Sequence, residues 1–96
     1  MKQDFPLKKI TPQDLEQLED WEVIQEAIAK TFTFTSFKAA IEFVNSVAAM
    51  AEEQNHHPEI SIDFNQVSLT LTTKDCGGLT EKDFVLAKEI DTLLKK

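Results

Sequence analysis

Apolar side chains recur along the chain first at every second position, then at every third or fourth, and then in the same order again. In AIAKTFTF (residues 27–34), Ile28, Phe32 and Phe34 share one face, with Lys30 interrupting it. A two-residue period is that of a strand with one buried face. The preceding WEVIQE (21–26) sets Trp21 and Val23 on one side and predicts a short strand. From Ser36 the spacing lengthens. Phe37, Ala40, Ile41, Val44, Val47, Ala48 and Ala51 form one stripe along a predicted helix of about five turns. Pro58 disfavours a helical conformation at His57, so that helix should end near Asn55. ISIDFNQ and VSLTLTT then return to a period of two. Ile60, Ile62 and Phe64 lie on one face of the first and Val67, Leu69 and Leu71 on one face of the second, with Asn65 and Gln66 as the expected turn. A last helix should start at Thr80, with Asp83 three residues on to complete a capping box, and it carries Leu86, Ala87, Ile90, Leu93 and Leu94 inward. Ahead of all these, TPQDLEQL (11–18) predicts a short helix, with Thr11 as N-cap, Pro12 at its first position and Asp14 closing a capping box.

The expected order is therefore short helix, two strands, long helix, two strands, helix. Each strand offers one apolar face. The simplest burial is an α+β fold of two layers: a four-stranded antiparallel sheet with both long helices on one side. The other face and the sheet edges stay available to another subunit.

Length and composition narrow the function classes. The 96 residues predict a single domain, 1–96, whose core is too small for a deep site. A small-molecule site should then be a shallow cleft or a groove between subunits. The net charge is −7 and every cation is a lysine. Arginine is the usual bidentate reader of phosphate and guanine, so an acidic chain without it is a poor nucleic-acid binder and a poor partner for anionic membranes. One cysteine, Cys76, allows no internal disulfide, which fits a reducing compartment. MKQDFPLKKI lacks the apolar core of a signal peptide, and no apolar run approaches the roughly 20 residues of a membrane span. A cytoplasmic protein is expected.

Candidate chemistry gathers in AEEQNHHPEI (51–60), which holds the only histidines, His56 and His57. Imidazolium is favoured at a helix C-terminus by the helix dipole, so the pair can be a structural cap. It can equally do acid–base work, because an ordinary histidine pKa of about 6.5 allows proton transfer near neutrality. A metal site built from Glu52, His56, Asp75 and Cys76 lacks any recognisable zinc spacing. KDCGGLTEKD (74–83) holds both glycines, Gly77 and Gly78, but not the Gly-Lys-Ser/Thr of a phosphate loop, and it reads as a strand-to-helix connection. Cys76 has no base beside it in sequence and is read as incidental. Trp21, Phe32, Phe34, Phe37, Phe43 and Phe64 read as core aromatics, Phe64 being the exception to watch.

Residues 31–91 closely resemble the pterin-4a-carbinolamine dehydratases, also called 4a-hydroxytetrahydrobiopterin dehydratases, and the likeness extends more loosely back through Trp21 to the helix at 12–18. That family carries an acidic or polar residue, three positions, then His-His-Pro, then an aromatic, a further histidine and an aspartate. Glu52, His56, His57, Pro58, Phe64 and Asp83 match it in spacing. Lys74 stands where the family has its third active-site histidine. The resemblance implies dehydration of a 4a-hydroxytetrahydropterin to the quinonoid dihydropterin and water. His56, His57 and Lys74 would be catalytic, and Glu52, Pro58, Phe64 and Asp83 would bind the pterin or orient the histidines. It implies no metal and no organic cofactor, since loss of water is not a redox step. It also implies a homodimer or homotetramer. The alternatives are a weak or inactive dehydratase-like protein acting as a binding or assembly partner, as vertebrate members do for a transcription factor, or action on a different pterin.

Overall fold

The strand-forming and helix-forming stretches fold where their periods place them. The computed structural model describes residue 18 and residues 20–73 and 77–94. The predicted helix at 11–18 therefore lies outside the described residues, save for Leu18, which is buried. β1 (Glu22–Ile24), β2 (Ala27–Thr33), β3 (Glu59–Asp63) and β4 (Gln66–Leu71) form one antiparallel sheet in the order β1-β2-β4-β3. α1 (Phe37–Gln54) and α2 (Glu81–Thr92) follow the two hairpins. This is the expected α+β fold. Among the described residues no helix is long and apolar enough to cross a membrane.

The register fixes which side chains share a face. Ile28 stands opposite Leu71, Lys30 opposite Leu69 and Phe32 opposite Val67. Ile28, Val67, Leu69 and Leu71 are wholly buried against Ala40, Phe43 and Val47 of α1 and Leu86, Ala87 and Ile90 of α2. Burying each large aliphatic side chain contributes about 1.5–3 kcal/mol. Lys30 is tolerated on this face because its charge is matched. Nζ lies 2.9 Å from Asp91 Oδ1 and 5.0 Å from the Phe32 ring centroid, and Trp21 Nε1 donates to Asp91 Oδ2 at 3.1 Å.

Four expectations shift. The first hairpin turns at Gln25–Glu26, and the second at Phe64–Asn65 rather than Asn65–Gln66, because Gln66 is already paired with Asp63 and Thr33. Phe64 takes the left-handed conformation there (φ 55°) and is 66 % exposed. The predicted stripe on α1 divides in two. Ala40, Val47 and Ala51 face the core, joined there by Phe43, whereas Phe37 is 50 % exposed and Ala48 is exposed as well. Ile60 and Ile62 point to the core side, opposite Leu69 and Val67, but β3 is an edge strand and both stay exposed. Leu94, expected inward, is exposed one position past Leu93.

Candidate active site

The end of α1 aims the two histidines apart. Asn55 takes the left-handed conformation (φ 52°). Its N–H reaches the Glu52 carbonyl at 3.2 Å, and the His56 N–H reaches the Ala51 carbonyl at 3.0 Å. This is the Schellman closure, in which the backbone itself satisfies the orphan carbonyls of the last turn. Neither imidazole is needed as a helix cap, and each goes to a carboxylate. His56 Nε2 lies 2.6 Å from Asp83 Oδ1, buried, and His57 Nε2 lies 2.7 Å from Glu52 Oε2, exposed. Each ring keeps its other nitrogen without a hydrogen-bond partner among the described residues.

The start of α2 holds the carboxylate behind His56. Thr80 is the N-cap, and its hydroxyl oxygen accepts the Lys82 N–H at 3.3 Å. Asp83 Oδ2 receives the Thr80 N–H at 3.0 Å and the Thr73 hydroxyl at 2.7 Å. The aspartate expected to close a capping box does so with one oxygen and holds a histidine with the other. Both roles follow from one rotamer, and the sequence alternatives of cap and site residue coexist.

Thr73 in turn is fixed by backbone. Its N–H and carbonyl pair with the carbonyl and N–H of Gly78 at 3.1 and 3.2 Å. Gly78 sits at φ 148°, and a Cβ there would come within 3.3 Å of Glu26 Cβ, so only glycine fits without strain.

These elements bound an open cleft of about 500 Å³, in the range of small-ligand sites. Asn55, His56 and His57 come from the connection between α1 and β3, Ala27, Glu59 and Thr70 from strands of the sheet, and Thr72 from just past the end of β4. Thr73 and Lys82 close the side towards α2. Of the residues singled out from sequence, His56 and His57 lie on the wall. Glu52 and Asp83 reach it through them. Pro58 turns the chain between two wall residues without lining the cleft itself. Phe64 lies at the far end of β3, about 17 Å from Glu59 for five strand residues, and is not brought to this cleft within one chain. Lys74 lies outside the described residues, as do Asp75 and Cys76. Sequence reasoning missed Thr73, Thr70, Thr72, Glu59 and Lys82, because threonines in an alternating strand carry no signal beyond their polar face. Among the described residues no three histidine, cysteine or acidic side chains gather as a metal-binding group.

The family Pterin 4 alpha carbinolamine dehydratase matches residues 7–93. A Chloroflexus aurantiacus protein, provisionally named pterin-4-alpha-carbinolamine dehydratase, is 50% identical over 82 residues, 85% of this chain and 88% of that one. The crystal structure of a transcriptional coactivator/pterin dehydratase from Brucella melitensis superposes with a TM-score of 0.84 at 32% identity, covering 90% of this chain and 98% of that one. A pterin dehydratase-like protein identified as a RuBisCO assembly factor in the alpha-carboxysome superposes with a TM-score of 0.65 at 26% identity, over 79% of this chain and 88% of the other. With that match spanning both hairpins and both helices, the chain belongs to the pterin-4a-carbinolamine dehydratase family.

Proposed function

We propose that the chain removes water from a pterin hydroxylated at C4a. The carrying observation is the pair of imidazoles on one cleft wall, each hydrogen-bonded to a carboxylate through Nε2. The reaction needs a base for the N5 proton and an acid for the departing hydroxyl. N5–H gives up its proton, the C4a–O bond breaks, and the hydroxide takes a proton to leave as water. His56, held by a buried carboxylate, suits the base. His57, on the rim beside Glu52, exchanges protons readily with solvent and suits the acid. Lys74 is proposed to supply a hydrogen-bond donor to the leaving oxygen, since lysine is ordinarily cationic near neutrality. Thr70, Thr72 and Glu59 offer polar partners for the pterin ring.

The test is an absorbance assay on chemically generated 4a-hydroxytetrahydropterin. Dehydration faster than the uncatalysed reaction, lost in His56→Ala, is expected. A wild-type rate equal to the uncatalysed one would favour the second reading, a dehydratase-like binding or assembly partner. Two observations keep that reading in view: the likeness to a RuBisCO assembly factor, and lysine at position 74.

Self-association into a homodimer or homotetramer belongs to the same proposal. It is supported by Phe37 and Ala48 left exposed on α1 and by the exposed Ile60 and Ile62 on the β3 edge. Unpaired edges with apolar side chains are surfaces that proteins ordinarily cover.

A further inference from the structure

We propose that Thr73 is a positioning residue of this site, which acts through Asp83 to decide which nitrogen of His56 meets the substrate. The inference rests on the dehydratase function proposed above.

Thr73 is buried at the cleft wall, and its Oγ1 lies 2.7 Å from Asp83 Oδ2 and 2.9 Å from Thr80 Oγ1. A hydroxyl has one proton to give. Thr73 gives it to Asp83, so the Thr80 hydroxyl must donate to Thr73. The hydrogen bonds then run one way: Thr80 to Thr73 to Asp83. With the Thr80 N–H added, Oδ2 is occupied by two donors, and Oδ1 alone is left for His56. A carboxylate only accepts, so the bond of 2.6 Å requires hydrogen on His56 Nε2. The lone pair of the neutral ring is then on Nδ1. No buried side-chain nitrogen or oxygen lacks a partner among the described residues, so the unpartnered Nδ1 must reach solvent, and the cleft is where His56 borders it.

Removing the Thr73 hydroxyl leaves Oδ2 with one donor and the Thr80 hydroxyl without its acceptor. Asp83 is then free to turn, and the ring can take the other tautomer. Supporting hydrogen bonds of this kind typically change activity by about 10- to 100-fold when lost.

The experiment uses the full chain with ¹⁵N-labelled histidine. Long-range ¹H–¹⁵N spectra of wild type should show His56 as the Nε2–H tautomer. Thr73→Val should shift the ring signals towards a mixture and lower kcat about 10-fold with KM little changed. Thr73→Ser should restore both. If Thr73→Val does not fold, Thr73→Ala is read by the same two measurements. Unchanged tautomer and unchanged kcat in a folded variant would overturn the proposal, as would the Nδ1–H tautomer in wild type. If the spectra move as expected but wild type dehydrates no pterin, the positioning role stands and the dehydratase assignment falls.

Discussion

His56 and His57 are neighbours with unequal surroundings, and substitution should separate them. His56 is nearly enclosed and its carboxylate partner is wholly buried, whereas His57 and Glu52 are both open to water. General acid–base groups each contribute about 10²- to 10⁴-fold. His56→Ala is expected to lower kcat by at least about 100-fold, measured with the pterin carbinolamine assay. Glu52→Gln should cost less than about 10-fold, because an exposed ion pair contributes at most about 1 kcal/mol. Asp83→Asn is a harsher change. An amide cannot accept on both sides, so one nitrogen would face either His56 or the donors of Thr73 and Thr80. Hydrogen bonds to a charged carboxylate contribute about 1.5–3 kcal/mol each and are weakened whichever way the amide turns, so the melting temperature should fall by about 10 °C. Asn55 carries a backbone role of its own. Asn55→Gly should be nearly neutral and Asn55→Ala should cost about 1 kcal/mol in thermal unfolding, because the left-handed conformation is unfavourable once a plain Cβ is present.

At the scale of elements, periodicity reported the faces of the strands correctly and coverage poorly. The alternation in β3 placed Ile60 and Ile62 on the core side, as the register shows, yet both stay exposed because β3 ends the sheet. Nothing local in ISIDF says which strand will be at an edge. On α1 the same limit appears as a merged stripe, since Ala40 and Ile41 are adjacent and only tertiary packing chooses between the faces they head. The caps were legible because their chemistry is local: Thr80 with Asp83, and Pro58 setting the stop near Asn55. The second partner of Asp83 was legible only through family spacing, because the bond to His56 spans 27 residues. The placement of the tight turn failed at Phe64, an aromatic in a conformation that favours glycine or asparagine. Phe64→Asn should therefore raise the stability of the isolated chain by about 1 kcal/mol in thermal unfolding. A loss of stability instead would mean that the ring is held by contacts in an assembled state.

For the whole molecule, charge and apolar surface pull in opposite directions. A net charge of −7 spreads like charge over every copy, while Phe37, Ile60 and Ile62 leave apolar surface in water. If copies associate through these patches, association should strengthen as salt rises from about 20 to 200 mM, because the screening length shortens to roughly 7 Å at the upper value. Sedimentation velocity reads this directly. The double variant Phe37→Glu, Ile60→Glu should sediment as a monomer at both salt concentrations and keep its fold.

The pairing of Thr73 with Gly78 also has a consequence for how such a site can change over time. Two backbone bonds join Thr73 to Gly78, and neither involves a side chain. Residue 74 can thus be exchanged as a module, with the residues that hold His56 left untouched on the anchored side. A Lys74→His graft made within this frame compares the two site chemistries on one scaffold, and lineages could explore the same exchange one substitution at a time.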